Sequence, residues 1–364
     1  MELPEISDFR TLFLEGAPLL DVRAPIEYRA GAFPGATNMP LLNDEERHLI
    51  GLCYKEQGQS AAIALGRKLI DGQPKANRTA QWQTFVQQHP EGALYCFRGG
   101  MRSKIAQEWI HEATGIVYPR IKGGYKALRN FLLEEINASF AEIQPIVLGG
   151  RTGAGKTVVI QQLQNSIDLE ALAWHRGSAF GSHVTPQPSQ IDFENNLSVE
   201  LIRHRAARHR RLVFEDESKA IGSRHLPPLL YEKMSHSPLV ILETPLQERI
   251  DNSIQEYVTS ALAEYQTQFG AEEGFKKWAD RASNSLQRIK KRLGGVRYKK
   301  MASRLQYAIN HLKQTGNPEA HEEWISQLLT EYYDPMYDYQ ISQKKDRIVY
   351  SGPMTDVLNY LRSI

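Results

Sequence analysis

The first residue with evident chemical potential is a cysteine beside a glycine–arginine loop. Cys96 ends the apolar run ALYCF, and Arg98, Gly99, Gly100 and Arg102 follow, with the helix-compatible segment SKIAQEWI directly after them. The backbone N–H groups of such a loop, the helix N-terminus and the two arginines together stabilise a thiolate. We therefore expect Cys96 to be a nucleophile in a loop that binds an oxyanion, with a buried structural cysteine as the alternative.

A second motif is typical of a phosphate-binding loop. The segment GRTGAGKT matches G-x-x-x-x-G-K-[ST] and lies between the apolar run PIVLG and the helix-compatible segment TVVIQQLQNS. Its glycines let backbone N–H groups point at an anion, its lysine supplies positive charge, and its threonine offers a hydroxyl group to a magnesium ion. The predicted phosphate-binding residues are Gly150, Arg151, Gly153, Gly155, Lys156 and Thr157. The motif predicts a diphosphate ligand and leaves open whether this is a nucleotide and whether a metal is required.

Other polar residues are predicted to lie near this loop. The run RLVFEDE predicts a buried strand with acidic residues at its carboxyl end, where a carboxylate can hold magnesium through water. The segment HRGS could line the same site, and an arginine beyond the run ILETP either reaches phosphates or occupies an exposed helix position. These second-rank candidates are Glu215, Asp216, His175, Arg176, Ser178 and Arg249.

The elements that must position these residues divide the chain in two. A length of 364 residues with 41% hydrophobic content predicts two cores. In residues 1–140, LLDV and ALYCF predict strands, and SAAIALGRKLI and SKIAQEWIHEA predict amphipathic helices. In residues 141–364, IVLGG, RLVFEDE and PLVILETP predict interior strands of a parallel sheet, followed by a charged helical region at about 246–332 and a last strand, DRIVYSG. The predicted fold class is α/β in both domains.

Two segments concentrate positive charge, although the formal net charge of the whole chain is only +2. They are RHRAARHRR and the run 276–300, in which Asp280 is the only acidic residue. Lysine and arginine contacts to phosphates give sequence-independent affinity for RNA, and aromatic rings stack on unpaired bases. Solvated helix faces are the alternative interpretation. The predicted RNA-binding residues are Arg203, Arg205, Lys276, Lys277, Trp278, Lys290, Lys291, Arg292, Arg297 and Tyr298.

The composition bears on the compartment in which the chain works. Two cysteines argue against a disulfide scaffold and favour a reducing compartment. Cys53 has no loop comparable to that of Cys96 and is predicted to be structural. The start MELPEISDF carries acids where a signal peptide is basic, and no apolar run reaches membrane-spanning length. We expect a cytoplasmic protein with no membrane partner.

The N-terminal region resembles a rhodanese domain. The segments LLDVRAPIEYRAGAFPGATNMP and YCFRGGMRS carry this resemblance, in which Asp21, Arg23 and Glu27 match the early signature. It implies a rhodanese-like fold for most of the first predicted domain, residues 1–140. Five residues separate Cys96 from Arg102, which is one more than in common rhodaneses and matches phosphatases related to that fold. The wider loop suits an oxyanion larger than a persulfide.

The order of FRGGMRS, GGRTGAGKT, HRGSAFG and FEDES over nearly the whole chain resembles the tRNA 2-selenouridine synthase family. This resemblance implies a rhodanese-like domain followed by a P-loop domain with a helical, basic extension. It also implies an enzyme that replaces the sulfur of wobble 2-thiouridine with selenium from selenophosphate, through an S-geranyl intermediate made with geranyl diphosphate. Cys96 is then the essential cysteine, and the partners are a tRNA anticodon loop and an enzyme that produces selenophosphate. No tightly bound cofactor is expected.

From the chemistry that this resemblance implies, we infer that the Lys156 loop stabilises the leaving diphosphate and that the Cys96 loop holds selenophosphate. Two other functions stay open from the sequence. One is a P-loop kinase or ATPase with a regulatory rhodanese-like module. The other is a cysteine phosphatase of the rhodanese fold, which the loop spacing favours, although Tyr95 stands where many such phosphatases have a histidine.

Overall fold

The computed structural model describes residues 3–364, in which short strands alternate with helices. The strands are β1 (Glu5–Ile6), β2 (Leu19–Asp21), β3 (Ala36–Asn38), β4 (Ala93–Tyr95), β5 (Arg120–Ile121), β6 (Gln144–Gly150), β7 (Arg211–Glu215), β8 (Ala220–Ile221), β9 (Arg224–His225), β10 (Leu239–Leu242) and β11 (Ile348–Gly352). The helices are α1 (Phe9–Leu14), α2 (Pro25–Ala30), α3 (Asp44–Ile70), α4 (Gln73–Gln88), α5 (Met101–Thr114), α6 (Gly124–Glu142), α7 (Lys156–Gln161), α8 (Leu169–Ala173), α9 (Gln190–Ala206), α10 (Pro228–His236), α11 (Leu246–Ile254), α12 (Ala261–Phe269), α13 (Ala271–Leu293), α14 (Gly295–Thr315), α15 (Glu322–Leu328), α16 (Asp334–Ser342) and α17 (Met354–Ser363).

The chain forms two compact units, of which unit 1 comprises residues 3–141 and Ser189–Arg208. Its five-stranded sheet has the order β1-β5-β4-β2-β3, and every neighbouring pair is parallel. Parallel strands need long crossover connections, which the helices between them provide. The predicted strands LLDV and ALYCF are β2 and β4, and both are fully buried. The predicted α/β class is confirmed for this unit.

Helix α9 packs in unit 1, although the sequence-based division at residue 141 places it with the second domain. Val199 and Ile202 of α9 join the hydrophobic core that contains Leu132 of α6. The buried Asn195 side chain donates a 2.6 Å hydrogen bond to the backbone oxygen of Ala32. The amphipathic pattern of α9 predicts a helix but does not say which of two apolar cores the helix joins.

Unit 2 comprises Glu142–Pro188 and His209–Ile364. Its main sheet has the order β11-β10-β6-β7 with all pairs parallel, and β8 and β9 form a separate antiparallel pair. The predicted interior strands IVLGG, RLVFEDE and PLVILETP lie in β6, β7 and β10, and DRIVYSG lies in β11. Strand β6 lies between β7 and β10, so the loop after Gly150 begins at the carboxyl edge of the sheet. In open α/β sheets this edge is where ligands bind.

The segment from Leu246 to Ser342 is mostly helical and contains α11–α16. It has its own hydrophobic core, to which Trp278, Leu286, Leu305 and Trp324 contribute. Within residues 3–364, the helices are all too short or too polar to span a membrane.

Candidate active site

Cys96 lies directly after β4, at the point where the chain turns into α5. The side chain is only 3% exposed, and its thiol donates a 3.2 Å hydrogen bond to the hydroxyl oxygen of Ser103. Ser103 in turn donates to the backbone oxygen of Gly100 at 3.0 Å. A sulfur atom is therefore held at the base of the loop, as expected for either a nucleophile or a structural cysteine.

The loop after Cys96 has free hydrogen-bond donors. Within residues 3–364, the backbone N–H groups of Phe97, Arg98, Gly99 and Gly100 donate no hydrogen bond. Such groups need a partner when water is excluded, and a run of them forms a cradle for an anion.

The conformation of this loop requires two glycines. Gly99 and Gly124 have φ angles of +63° and +61°, which side-chain-bearing residues rarely adopt. A Cβ atom on Gly124 would lie 2.3 Å from both the Cys96 oxygen and the Gly99 nitrogen. The loop is therefore packed directly against the backbone that precedes α6, and this contact fixes its shape.

The two arginines of the loop differ in their surroundings. Arg102 makes a bidentate ion pair with Glu27, with nitrogen–oxygen distances of 2.6 and 3.1 Å. Burial alone would raise the pKa of Glu27, but the hydrogen bond and the charge of Arg102 outweigh it and lower the pKa. Arg98 is exposed and makes no ion pair within residues 3–364. Arg102 is thus fixed in place, whereas Arg98 is free to meet a ligand.

The P-loop residues Gly150–Thr157 connect β6 to α7 as predicted, although α7 ends at Gln161 and is shorter than the segment TVVIQQLQNS indicates. The Lys156 ammonium group donates to the backbone oxygen of Gly150 at 3.0 Å. Within the described residues, the N–H groups of Gly153, Gly155, Lys156 and Thr157 donate no hydrogen bond. The loop therefore offers a positive charge and several free donors at one place.

Arg249 is not on an exposed helix position, because its side chain is only 2% exposed. Its Nε donates to the backbone oxygen of Thr152 at 3.0 Å, and its other nitrogens bind the Asp334 carboxylate at 2.5 and 3.1 Å. Asn252 of the same helix donates to the backbone oxygen of Gly153 at 2.9 Å. Helix α11 thus holds the P-loop backbone, and the guanidinium group is fully engaged in doing so.

Arg151, the first variable residue of the P-loop motif, is 44% exposed. It forms a 2.6 Å ion pair with Asp338 of α16. Its charge is therefore partly neutralised before any phosphate arrives.

The two acids at the end of β7 do not fit the predicted magnesium role. Glu215 is fully buried, and burial together with the charge of Asp168 raises its pKa well above the ordinary value, which disfavours the ionised form that would hold a metal ion. Asp216 receives two 2.7 Å hydrogen bonds from the Lys344 ammonium group. Within residues 3–364, no group of three His, Cys, Asp or Glu side chains is arranged to hold a metal ion.

Three glutamates that the sequence did not single out surround the P-loop lysine. Burial raises the pKa of Glu170 and Glu217, and a hydrogen bond from protonated Glu217 to Glu170 joins the pair. Burial and the charge of Glu170 raise the pKa of Glu256 to about 7, against the opposing charges of Arg176 and Lys156. Glu217 lies within the FEDES segment, but no sequence signal marks the other two. Carboxyl groups with raised pKa values are candidates for proton donors.

The predicted HRGS segment lies beside these acids. Arg176 pairs with Glu264 and lies 3.8 Å from Glu256. Burial, helped by the charge of Arg281, lowers the pKa of His175 to about 4, so its imidazole is neutral. The Ser178 hydroxyl accepts a 3.1 Å hydrogen bond from the Phe180 N–H group. The structure therefore brings His175 and Arg176 near the P-loop acids, while Ser178 shapes the loop that carries them.

The predicted RNA-binding aromatics need a correction. Trp278 is 2% exposed and donates its indole N–H to the backbone oxygen of Tyr257, so it is a core residue and cannot stack on a base. Tyr298 is half-buried, with Lys290 5.0 Å from the centre of its ring. The amphipathic face of α13 buries this tryptophan because its position falls on the apolar stripe.

The predicted RNA-binding cations fall into two groups. Lys276, Lys291 and Arg292 are exposed and make no ion pair within residues 3–364, and Lys290 is exposed as well. The others are partly neutralised by acids, in the pairs Lys277–Glu273, Arg297–Glu331, Arg203–Glu200 and Arg205–Glu135. Of these predicted cations, the ones that make no ion pair within residues 3–364 therefore lie on α13.

Comparison with known proteins places the chain in a family. The family model described as "tRNA 2-selenouridine synthase AAA domain" matches residues 143–364. The tRNA 2-selenouridine synthase of Bordetella bronchiseptica is 53% identical over 98% of this chain and 96% of its own length. Those of Bordetella petrii and of Sulfurovum sp. are 49% and 48% identical, over 98% and 99% of this chain and 96% and 99% of their own lengths. The chain belongs to the tRNA 2-selenouridine synthase family of enzymes.

Proposed function

We propose that this enzyme converts 2-thiouridine at the wobble position of tRNA to 2-selenouridine in two steps, one served by each loop. The observation that carries the proposal is the presence of two separate sets of free backbone N–H donors. One set surrounds a buried cysteine in a rhodanese-like unit, and the other surrounds the P-loop lysine. Each set suits an anion, and the two co-substrates, geranyl diphosphate and selenophosphate, are both anions.

In the first step the thiocarbonyl sulfur attacks C1 of geranyl diphosphate. The new S–C bond replaces the C–O bond, diphosphate leaves with the electron pair, and the N3 proton of the uridine passes to water. Free N–H groups and the Lys156 ammonium group meet the charge that develops on the leaving oxygen. Glu217 and Glu256, whose pKa values burial raises, are the candidates to give a proton to the departing diphosphate.

In the second step selenium of selenophosphate attacks C2 of the S-geranyl base. The C–S bond breaks with its electron pair on sulfur, geranylthiol leaves, and water then cleaves the Se–P bond to release phosphate. Four free N–H groups and the exposed Arg98 bind the phosphoryl oxygens, and the Cys96 sulfur lies at the base of that cradle. Glu27 keeps the Arg102 charge in a fixed position for the same anion.

The RNA substrate contacts the exposed cations of α13. Lysine and arginine side chains that make no ion pair release counterions when phosphates approach, so binding depends steeply on salt. A wobble base in an anticodon loop is already unpaired, so moving it into a site costs less free energy than moving a base out of a duplex.

The test is mass spectrometry of nucleosides from a 2-thiouridine anticodon stem-loop after incubation with the enzyme. With geranyl diphosphate alone we expect S-geranyl-2-thiouridine, and with both co-substrates we expect 2-selenouridine. A product that forms only with ATP, or ATP turnover without RNA, would instead support a P-loop kinase or ATPase. Release of phosphate from a generic aryl phosphate that depends on Cys96 would support a phosphatase.

A further inference from the structure

Trp174 is an exposed aromatic residue in unit 2, at the end of α8. Among the five tryptophans of the chain it alone is exposed, with 43% of its surface accessible. Trp82, Trp278 and Trp324 are buried, and Trp109 is half-buried. Exposing the large apolar surface of a tryptophan to water costs free energy, and an exposed tryptophan often marks a binding site.

The backbone at Trp174 is also unusual. It has φ of +53° and ψ of +52°, in the left-handed region, at a helix end where glycine or asparagine is the usual residue. Within residues 3–364, Arg208 is the other non-glycine residue with positive φ. A bulky side chain held in this conformation is strained, and strain of this kind clusters at ligand sites.

The Trp174 ring is held in a fixed orientation. It stacks on the imidazole of His183, with ring centres 4.1 Å apart and an interplanar angle of 21°. Its indole N–H donates to the Thr185 hydroxyl at 2.8 Å. His183 is itself held by Glu264, whose carboxylate lies 3.0 Å from Nδ1. One face of the indole is therefore covered, and the exposed surface belongs to its other face and edge.

Positive charge lies on one side of this ring. Arg281 of α13 donates to the Ser182 hydroxyl, and Arg288 of the same helix approaches the Ala179 oxygen at 3.4 Å. Both arginines thus touch the segment that connects Trp174 to His183. A rigid ring beside a cationic helix is the arrangement that proteins use for unpaired nucleic acid strands.

The same segment also approaches the acids around the P-loop lysine. A Cβ atom on Gly177 would lie 2.0 Å from Oε1 of Glu170, and the charge of Lys156 acts on Glu170. The segment Trp174–His183 therefore connects the basic helix to the acids around the P-loop lysine.

From this juxtaposition we propose that Trp174, supported by His183, is a stacking platform for an unpaired base of the substrate RNA. The phosphates next to that base meet Arg281 and Arg288, and the strand continues towards the P-loop. This assignment rests on the proposed function and supplies the aromatic contact that the buried Trp278 cannot make.

The experiment measures binding of a fluorescently labelled anticodon stem-loop by anisotropy, together with iodide quenching of tryptophan fluorescence. RNA should protect the wild-type protein from quenching, and Trp174→Phe should lose the quenchable signal while keeping most of the affinity. Trp174→Ala should weaken binding by about 5- to 150-fold, the range for loss of one base–aromatic stack. Tyr54→Ala, which removes a 58% exposed aromatic residue in α3, is the matched control and should change nothing.

Two results would overturn the platform. They are unchanged affinity in a Trp174→Ala protein whose circular dichroism matches wild type, and no protection of the wild-type fluorescence by saturating RNA. The second measurement needs no variant, so a folding defect leaves the question decidable. Failure of the proposed function looks different: the stem-loop binds and protects Trp174, but mass spectrometry finds no change in its 2-thiouridine.

Discussion

The Cys96 loop and the P-loop have the same local architecture but opposite electrostatic surroundings. Each follows a buried strand of a parallel sheet, precedes a helix and presents backbone N–H groups without partners. Beside the Cys96 loop, Glu27 is paired with Arg102, whose hydrogen bond and charge lower the pKa of Glu27. Around Lys156 burial instead raises the pKa values of the acids, that of Glu256 to about 7.

This difference indicates which step each loop can serve. An anion that binds and must be held needs fixed positive charge, and the Glu27–Arg102 pair provides a fixed guanidinium group. An anion that forms during the reaction gains from both a positive charge and a proton. Lys156 provides the charge, and the glutamates of raised pKa near it are the candidate proton donors. The predictions below test this division, starting with the largest expected effect.

Cys96→Ser should lower selenium incorporation by at least about a thousandfold, because the loop that holds selenophosphate is built around the Cys96 sulfur and groups that act as a unit in a site have effects of this size. Geranylation should stay within about twofold of wild type, since the P-loop is in the other unit. Nucleoside mass spectrometry measures both products. Cys53→Ser, which changes a buried thiol of α3, is the control and should keep both activities.

Lys156→Ala should lower geranylation by about a hundred- to a thousandfold, the usual cost of losing one group that stabilises developing negative charge. Selenium transfer to a stem-loop that already carries S-geranyl-2-thiouridine should proceed normally. Lys313→Ala removes an exposed lysine of α14 and serves as the control. If the Lys156 variant fails on the geranylated RNA as well, the two loops do not divide the reaction.

Glu27→Gln should raise KM for selenophosphate by about tenfold, because a neutral partner no longer orients the Arg102 guanidinium through a charged bidentate pair. The KM for geranyl diphosphate should not change. Arg47→Ala is the matched control, since Arg47 is the outer partner of Glu27 at 3.3 Å and is 46% exposed. An equal effect of both substitutions would mean that Glu27 acts only on the stability of the unit.

Glu256→Gln should have the smallest effect, and it should depend on pH. The folded-state pKa of about 7 lies above the ordinary 4.5, so the proton stabilises the folded protein at low pH and this stability is lost as pH rises from 4.5 through 7. Glutamine stays neutral, so at pH 8 the variant should recover the free energy of unfolding that wild type loses. Each kcal/mol recovered should raise Tm by about 2–4 °C over wild type, and the gain at pH 5 should be small. Glu248→Gln, at an exposed position of α11, should show no such difference between the two pH values.

The sequence predicts features that depend on neighbours along the chain. The P-loop, the strand before it and the α/β class follow from local patterns, and the strands β2, β4, β6, β7, β10 and β11 all lie where apolar runs predict them. The position of Cys96 between a strand and a helix was predictable for the same reason.

Features that depend on distant parts of the chain were not predictable. The sequence leaves Arg249 open between phosphate binding and an exposed helix position, but Asp334 of α16 binds it inside the structure. Trp278 is predicted to stack on a base, but α13 packs that face into the core. Helix α9 joins unit 1 although strands of unit 2 flank it in sequence. In each case a partner far away in the sequence decides whether a polar or aromatic side chain is exposed, and no local pattern encodes that partner.

The most direct test of the division between the loops is a time course with the Cys96→Ser protein, a 2-thiouridine stem-loop and both co-substrates, followed by nucleoside mass spectrometry. We predict that S-geranyl-2-thiouridine accumulates at the wild-type initial rate and that no 2-selenouridine appears. Loss of both products in a folded Cys96→Ser protein, or 2-selenouridine formed at the wild-type rate, would contradict the account.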